Sequence, residues 1–495
     1  MRAADLKRLG CCALVALSTA TSAVERAPSS ERSGPQSWSY TIRASDLATG
    51  ILSIELALHG FSSPLRLCAD MRDAAPSVRG LARASDDPDC FEVAAPAAGP
   101  FVVNYQVDLH DLSHRHGDPD WAARAGDDYV FNDESVLLRP DPMPDDAAID
   151  ITFDVRDGVG IAAPWKQLDQ AGRHFQSSSR QYDAGSYVAL GHLQRLPSLD
   201  AQGCSFEVVL LGGAHRASTK ALQSWVARAG RAVAEFYRGV PTGHALVVLL
   251  PVAGASEGGV FGSTLHRAAP SSVLFFGADA ADAQFEHDWM ATHELFHIGN
   301  PRLATRVHWF NEGSATYYQD VLRARAGQER ASAIWSDLYD GFRRFCEPAG
   351  TPPMSLADES EGLRKLHHYT RVYWGGACLL FRADVAIRER SEGRTGLDDV
   401  LRELLKRSQA RPLEESELID AIDEAAGTPL VRAGLESTVA VPMDALYRKL
   451  GIEPVAEARV NLNERATEAA LRIAILAAPV VDSTKSRRSS SETRR

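Results

Sequence analysis

The chain has 495 residues, 45% of them hydrophobic, and a formal net charge of −12 at pH 7. A chain of this length exceeds what one typical hydrophobic core holds, so two or three domains are expected. The net negative charge gives no indication of nucleic-acid binding, and it argues against binding to an anionic membrane surface. No apolar run after the N-terminus reaches transmembrane length, so no membrane span is predicted.

Residues 1–23 have the pattern of a secretory signal peptide. Arg2, Lys7 and Arg8 precede an apolar stretch at residues 9–20, and Thr21-Ser22-Ala23 offers small residues for cleavage. A poorly ordered N-terminal helix is the alternative interpretation. The sequence therefore predicts export, to the periplasm or out of the cell, and a linker at residues 24–36.

Residues 37–198 show the period-two alternation of half-buried strands, interrupted by turn-rich segments. The strand-like runs are Trp38–Ile42, Leu52–Leu58, Phe101–Val107, Ser135–Leu138, Ile149–Val155 and Tyr187–Leu190. This pattern predicts an all-β sandwich domain. Export permits disulfides, and Cys68 and Cys90 lie in this same region and could pair.

Residues 199–455 show a different pattern, in which a mixed α/β part leads into an almost wholly helical part. Runs typical of buried strands at 206–211, 245–250 and 273–276 accompany helical spacing at 218–237, and helices dominate from about residue 311 to 452. This is the layout of thermolysin-like catalytic domains. Residues 456–495 are predicted to be a C-terminal extension, disordered from about Asp482. The predicted fold class is a multidomain α+β protein.

The segment His293-Glu294-Leu295-Phe296-His297 carries the strongest chemical signal. Residues i and i+4 lie on one face of a helix, so both imidazoles can face one point with Glu294 beside them. Asp279 and Asp282 offer capping groups at the helix start, and Gly299 begins a strong stop signal. A surface helix that carries two histidines by coincidence is the structural alternative.

A second helical run begins near Asn311, which could be its N-cap, and brings Glu312 to the histidines as a third zinc ligand. The open fourth position would hold a water whose pKa the metal lowers, with Glu294 placed to take its proton. Thr316, one turn after Glu312, could support a ligand. The sequence thus predicts zinc, held by His293, His297 and Glu312, and the chemistry of a peptidase acting on peptide substrates.

Beyond the metal site, the chain resembles metallopeptidase family sixty-one, the glycyl aminopeptidases, which are gluzincins with Glu as third ligand. The resemblance covers roughly residues 37–455. The segments that carry it are Trp309–Tyr318 (Trp-Phe-Asn-Glu-Gly-Ser-Ala-Thr-Tyr-Tyr), Tyr373–Ala377, Gly396–Arg402, Val441–Gly451, Val107–Ser113 and Phe131–Ser135. By this resemblance Tyr373 donates a hydrogen bond to the developing oxyanion, with Tyr369 as the alternative donor.

Four departures from that family stand in the sequence. The spacing between His297 and Glu312 is short, so the connecting loop must be tight. Gly375 replaces the family's lysine, and the residues after Gly451 are too few for the PDZ domain that many members carry. Phe261 stands where a Gly-rich edge strand usually carries the Glu that holds the substrate's α-amine.

The presence of Phe261 in place of the usual Glu determines which substrates are expected. Gly258 and Gly259 would let a substrate backbone approach the edge strand, or they form a simple loop. Without the usual Glu, an endopeptidase or a peptidase with altered amine recognition competes with an aminopeptidase. Glu257, shifted by a bulge, could replace the missing charge. A catalytically silent peptide-binding protein of the same fold is the third hypothesis.

Overall fold

The computed structural model describes residues 36–61, 65–69, 78–79, 81–84, 86–87, 89–93, 101–115, 121–180, 185–266, 269–346, 354–439, 443–456 and 458–477. The predicted signal peptide, nearly all of the predicted linker and the predicted disordered tail lie outside these residues. None of the helices in the described ranges is both long and apolar enough to cross a membrane.

The described residues of the N-terminal part form short strands and one short α-helix, α1 (Leu109–Arg115). The strands are β1 (Ser37–Ala44), β2 (Ile51–His59), β3 (Leu65–Cys68), β4 (Val78–Arg79), β5 (Cys90–Val93), β6 (Phe101–Asp108), β7 (Ala122–Ala125), β8 (Asp128–Asn132), β9 (Arg139–Asp141), β10 (Ala148–Val155), β11 (Gly160–Ala162), β12 (Lys166–Gln167), β13 (His174–Ser178) and β14 (Tyr187–Gly191).

Three sheets share one apolar core in this part of the chain. The largest has the order β12-β13-β10-β1-β2-β6-β4, and the others are β11-β14-β8-β7 and β5-β3-β9. Alternate residues point inward, as Trp38, Tyr40 and Ile42 do along β1, and they form a core with residues from all three sheets. The predicted β-sandwich region is therefore confirmed.

Two sequence expectations in this part have different outcomes. The run Ser135–Leu138 is not a strand, because the 3₁₀ turn Asp133–Ser135 precedes an irregular segment that is nevertheless buried. Apolar side chains alone did not distinguish a buried loop from a strand. Cys68 and Cys90 form a disulfide between β3 and β5, as their shared region suggested. Within the described ranges, Cys204, Cys346 and Cys378 form no disulfide, and all three are buried.

The second part begins with a sheet whose order is β15-β16-β17-β19-β18. Its strands are β15 (Gln194–Ala201), β16 (Cys204–Leu210), β17 (His244–Val252), β18 (Gly259–Leu265) and β19 (Ser271–Gly277). β16, β17 and β19 are parallel, while β18 runs antiparallel at the edge. The boundary expected between residues 198 and 199 falls inside β15, so the change from one part to the other occurs between Gly191 and Gln194.

Helices make up most of the remainder. They are α2 (Thr219–Tyr237), α3 (Met290–His297), α4 (His308–Arg325), α5 (Ala331–Phe345), α6 (Leu356–Glu361), α7 (Leu363–Leu366), α8 (Tyr369–Arg390), α9 (Leu397–Ser408), α10 (Glu415–Ala426), α11 (Leu430–Glu436), α12 (Asp444–Leu450) and α13 (Ala469–Leu476). Most of their inward-facing apolar side chains join one core with the upper face of the sheet.

The described part of the predicted C-terminal extension is packed onto the helical domain. A hairpin of β20 (Ile452–Ala456) and β21 (Arg459–Leu462) precedes α13, and Val460 N donates to Ser336 Oγ at 3.2 Å. Arg325 donates through Nε and Nη2 to the Ile475 carbonyl at 3.0 and 2.8 Å, and the Ile475 side chain is fully buried. The helical domain thus extends to at least residue 477.

The lower face of the sheet packs against the β-sandwich. Phe261, Phe275 and Val248 from the sheet share an apolar cluster with residues such as Ala123 and Tyr187 from the N-terminal part. Polar contacts accompany this cluster, because Tyr187 donates through its hydroxyl to Ser263 Oγ at 2.7 Å. The edge strand β18 therefore has the sandwich on one side and α3 on the other.

Candidate metal centre

Helix α3 carries both histidines and is buried on all sides, so every one of its residues is shielded from solvent. Asp288 stabilises its start: the carboxylate accepts from Met290 N at 2.9 Å, from Gly259 N at 2.8 Å and from Trp225 Nε1 at 3.0 Å. The caps expected at Asp279 and Asp282 are wrong. Asp282 instead accepts hydrogen bonds from Ser218 at the start of α2.

Helix α4 brings Glu312 to α3. It begins at His308, so Asn311 is not the N-cap but lies inside the first turn. The connection from α3 is short, as the sequence spacing required, and it is held by Leu413, whose carbonyl accepts from Ala304 N at 2.9 Å and whose N–H donates to Arg302 O at 2.9 Å. This anchored loop returns the chain directly to the two histidines.

The three predicted ligands converge on one point. Glu312 Oε2 lies 3.5 Å from His293 Nε2 and 3.7 Å from His297 Nε2, and all three side chains are buried. Ligand atoms about 2.0–2.1 Å from a tetrahedral zinc ion lie roughly 3.4 Å from each other, close to these separations. His293, His297 and Glu312 thus have the spacing of a zinc site.

Unsatisfied atoms point to the same conclusion. His297 Nε2 and Glu312 Oε2 are buried without a hydrogen-bond partner among the described residues. Such groups are costly to bury, and two of them facing one another are explained by an ion that both would bind. Two imidazoles and one carboxylate are the donor set of a zinc site with an open position. The residues present therefore fit zinc.

The charges of the three side chains also favour a cation. Burial raises the pKa of Glu312, but His297 and His293 outweigh burial and bring this pKa down to about 2. Burial lowers the pKa of His297 to about 4. Burial also lowers the pKa of His293, yet the neighbouring carboxylates of Glu312 and Glu294 leave it raised. The site holds one ionised carboxylate that attracts positive charge.

Glu294 lies beside the ligands without joining them. Thr264, on edge strand β18, has its single hydroxyl donor within reach of both Glu294 Oε2, 3.1 Å from Oγ1, and the Glu294 carbonyl oxygen, 2.9 Å from Oγ1. Burial raises the pKa of the Glu294 carboxyl to about 7, and Glu312 raises it too, against the lowering effect of His293 and Thr264. A carboxyl with such a pKa can accept and return a proton near neutral pH.

The glycines expected to admit substrate have a packing role in this structure. A methyl group on Gly258 would lie 2.6 Å from the Gln284 carbonyl oxygen, and one on Gly259 would lie 2.7 Å from Met290 Cβ. Both glycines therefore let β18 approach the segment that leads into α3. Neither lines the cavity above the metal-binding residues.

Phe261 lies on this strand just after a bulge. Pairing with β19 shifts register between Gly259 and Phe261. The Phe261 ring is buried against Phe275, with ring centroids 5.6 Å apart, in the cluster below the sheet. Phe261 also forms part of the cavity wall, whereas Glu257 is exposed and is not among the residues that line the cavity.

A cavity of about 520 Å³ opens over His293, Glu294 and Glu312. Tyr373, on α8, lines it and stacks on His293, with ring centroids 6.4 Å apart and an angle of 20° between the planes. Tyr369 lines it farther out, with its hydroxyl 3.4 Å from His367 Nδ1. The rest of the wall is partly aromatic and partly charged and includes Trp289, Asp320, Arg323, Asp337, Asp340, Arg344, Phe345, Trp374 and Ala458.

The site also contains residues that the motif did not predict. Gln319 Oε1 lies 2.8 Å from His293 Nδ1, and Asn300 Nδ2 lies 3.3 Å from His297 Nδ1. Thr316, the expected support, lines the cavity. Helical spacing was a usable signal for Gln319, since it lies two turns after Glu312. Thr264 lies on another element, and the local sequence gave no signal for it.

No protein-family model and no curated protein matches the sequence. Solved structures do share the fold. An aminopeptidase N family protein from Idiomarina loihiensis matches over 87% of this chain and 82% of its own, with a TM-score of 0.69 and 18% identity. An M1 zinc metallopeptidase from Deinococcus radiodurans matches over 85% of this chain and 96% of its own, with a TM-score of 0.53 and 18% identity.

A variant of the Deinococcus radiodurans enzyme bound to a Tyr-Ser-Ala substrate matches over 82% of this chain and 96% of its own, with a TM-score of 0.53 and 16% identity. At such identities the likeness establishes the fold. This chain has an N-terminal β-sandwich and a helical domain arranged as in the M1 metallopeptidases.

Proposed function

We propose that this chain is a zinc metallopeptidase that hydrolyses peptide bonds. The observation that carries the proposal is the convergence of His293, His297 and Glu312 at the base of a cavity, with Glu294 beside them. The fold shared with M1 zinc metallopeptidases, one of which has been solved as a variant bound to a peptide substrate, supports it. The sequence resemblance to glycyl aminopeptidases favours an aminopeptidase within this class.

The chemistry follows from the positions of the side chains. Zinc, when bound, would polarise the scissile carbonyl and make a water more acidic. Thr264 occupies Oε2 of Glu294, so Oε1 is the atom that takes the proton from the attacking water and returns it to the leaving amine. Tyr373, stacked on His293, is the proposed donor to the oxyanion.

The direct test combines metal analysis with hydrolysis of peptides. The purified protein should contain about one zinc per chain, as expected for a three-ligand site, and lose activity when a chelator removes it. Glu294→Gln should keep the zinc and lose at least about 100-fold in kcat. A protein that holds zinc but hydrolyses no peptide would instead support the peptide-binding hypothesis.

A second candidate is a peptidase that does not require a free N-terminus. Phe261 occupies the expected position of the amine-binding Glu, with its ring packed below the sheet, and Glu257 does not line the cavity. An α-ammonium taken into a closed site without a carboxylate is strongly disfavoured. An N-acetylated peptide should then be cleaved within about tenfold of the rate of its free-amine form, roughly 1.4 kcal/mol.

The competing arrangement is distinguishable with the same two peptides. If Glu257 moves to serve the amine, the acetylated peptide will be inert and Glu257→Gln will reduce kcat/KM only for the free-amine form. The matched variant Glu286→Gln, on the neighbouring segment, should leave both values unchanged.

We further propose that the protein is exported. The positively charged start, the apolar stretch and the small residues at 21–23 support this, as does the disulfide between Cys68 and Cys90, which persists in oxidising compartments. N-terminal sequencing of the protein made in its own cells should find the mature chain starting after Ala23. An intact Met1 on a chain retained in the cytoplasm would contradict the proposal.

A further inference from the structure

We propose that Gln319 is a positioning residue, which holds His293 in the tautomer that can bind zinc, and that Asp320 and Arg323 set the direction of the Gln319 amide. This inference rests on the zinc site proposed above, but it concerns the affinity of the site for metal rather than the reaction.

The first step is the contact between Gln319 and His293. Gln319 Oε1 lies 2.8 Å from His293 Nδ1, on the side of the ring away from Glu312. A carbonyl oxygen only accepts hydrogen bonds, so a proton on Nδ1 satisfies both groups. The neutral ring then has its lone pair on Nε2, the atom that lies 3.5 Å from Glu312 Oε2. Nε2 is thereby left to the metal.

The second step is the direction of the amide itself. An amide offers an oxygen acceptor at one end and a nitrogen donor at the other, and a reversed Gln319 would point N–H groups at His293. Its side chain also hydrogen-bonds Asp320. Burial raises the pKa of this carboxyl to about 7, and its ionised form, which Arg323 stabilises, accepts from the amide nitrogen. The nitrogen therefore faces Asp320 and the oxygen faces His293.

The third step is what holds Asp320. Arg323 donates through Nη1 to Asp320 Oδ1 at 2.8 Å and through Nη2 to the His287 carbonyl at 2.9 Å. Gln319, Asp320 and Arg323 are each at most 7% exposed. At such buried positions a polar group without a hydrogen-bond partner costs free energy, so the reversed orientation of the Gln319 amide is strongly disfavoured.

His297 provides a contrast inside the same site. Its Nδ1 faces the amide nitrogen of Asn300 at 3.3 Å, while Asn300 Oδ1 accepts from the Tyr237 hydroxyl at 3.3 Å. Because the Tyr237 hydroxyl can donate or accept, the Asn300 amide can take either direction, and this contact does not fix the tautomer of His297. His293 is therefore the ligand whose tautomer the surrounding protein sets, and Gln319 is the residue that sets it.

The test is the affinity for zinc, measured by competition with a chromophoric chelator. Gln319→Leu should weaken zinc binding about 10- to 100-fold, the usual range for the loss of a group that supports a histidine ligand. Gln319→Glu keeps an acceptor beside His293 Nδ1 and should bind zinc at least as tightly as the unsubstituted protein. Asp320→Asn introduces a side chain that can both donate and accept, so it no longer favours one direction of the Gln319 amide. It should weaken zinc binding less than Gln319→Leu does. Gln328→Leu, the same replacement at a half-buried position away from the ligands, should bind zinc normally.

A second readout is independent of metal. Nitrogen NMR of the metal-free protein, at a pH at which the His293 ring is neutral, should show the proton on Nδ1, and Gln319→Leu should shift the ring toward the Nε2 tautomer. Unchanged zinc affinity in Gln319→Leu, or equal weakening in Gln319→Glu, would overturn the inference. If the original protein binds no zinc, the proposed function fails, while the tautomer measurement still decides the role of Gln319.

Discussion

Gly262 determines how closely the edge strand approaches the general base. A methyl group at this position would overlap Cγ of Glu294 and lie 2.7 Å from its Cδ and 2.8 Å from its Oε1. The contact involves the carboxylate itself, because β18 and α3 meet here with no side chain between them. A residue that the motif did not single out thus controls the position of the catalytic carboxylate.

We predict that Gly262→Ala reduces kcat by about 100-fold, similar to loss of the base, because Glu294 must rotate away from the attacking water. Zinc content should remain near that of the original protein, since the ligands lie on other side chains. Gly160→Ala is the control, because its methyl group would lie 3.6 Å from the nearest atom in the sandwich. Normal turnover in Gly262→Ala would show that this contact relaxes freely.

The two tyrosines of α8 are separated by one turn and differ in position. Tyr373 is buried and stacked on His293, while Tyr369 lies toward the outer part of the cavity. We predict that Tyr373→Phe lowers kcat at nearly constant KM, because a donor to the oxyanion acts only in the transition state. Steady-state kinetics of Tyr369→Phe provide the comparison, and a larger loss there would transfer the role to Tyr369.

His308, at the first position of α4, gives the fold a sensitivity to acid. Burial, together with Arg306 and Arg364, lowers its pKa to about 4 against the effect of Glu312. The unfolded chain binds this proton at the ordinary pKa of about 6.5, so folding stability falls as pH drops from there toward 4.

Between about pH 7 and pH 5 the loss should approach 2 kcal/mol, at about 1.4 kcal/mol per unit of pKa difference. We predict that thermal unfolding of His308→Gln is less sensitive to this change of pH than that of the original protein. Both proteins share the three metal-binding side chains, so the difference between them isolates His308. Equal shifts in Tm would contradict the prediction.

At the scale of elements, helices α4 and α8 cross at unusually close range through Gly313 and Gly376. A methyl group on Gly313 would lie 2.6 Å from the Gly376 carbonyl carbon, and one on Gly376 would overlap the Trp309 carbonyl oxygen. Gly376, which the sequence showed only as part of a family segment, therefore has a steric reason at this position. The crossing also places Glu312, the neighbour of Gly313, against α3.

Gly376→Ala should force these helices apart and lower the stability by about 1–3 kcal/mol, the usual cost of overpacking. Differential scanning calorimetry should show a clear drop in Tm. Arg382→Ala, at a half-exposed position of the same helix, is the matched control and should change Tm little. A Tm unaffected by Gly376→Ala would mean that the helices can separate without cost.

The elements differ in how far the sequence predicted them. Alternation along β1 and β2 and the apolar runs of β17 and β19 predicted strands, because each reflects burial that local periodicity records. The caps expected for α3, Asp279 and Asp282, lie too early in the chain. The group that stabilises its start is Asp288, which also accepts hydrogen bonds from Gly259 and Trp225 of other elements, and local sequence does not record such contacts. Thr264 was missed for the same reason: its role depends on pairing between distant segments.

At the scale of the whole molecule, the C-terminal segment belongs to the helical domain. Ala458, between the two strands of the hairpin, lines the cavity together with Asp340 and Arg344 of α5. The sequence suggested an extension because this segment is short and follows the last helix that resembles the family. Its packing depends on contacts with α4 and α5, more than a hundred residues earlier, which no local pattern records.

Two isoleucines of α13 allow a direct test of this packing. Ile475 is fully buried, whereas Ile473 is 53% exposed. Ile475→Ala should cost about 2–5 kcal/mol, and Ile473→Ala should change the stability by less than about 1 kcal/mol. Urea unfolding of both variants measures the difference. Equal, small effects would show that the segment contributes little to the stability of the domain.

The edge strand β18 has one further consequence. Ser263 contacts Tyr187 of the sandwich on one face, and the next residue, Thr264, holds Glu294 on the other. A fragment cut at the junction near Gly191 would keep every catalytic residue, yet it would expose Phe261, Phe275 and Val248 to water. Such a fragment should aggregate, and strand β18, which positions the Glu294 carboxylate, would lose its contacts with the sandwich. The N-terminal domain therefore supports the strand that forms part of the cavity wall, and the shape of the cavity depends on both domains.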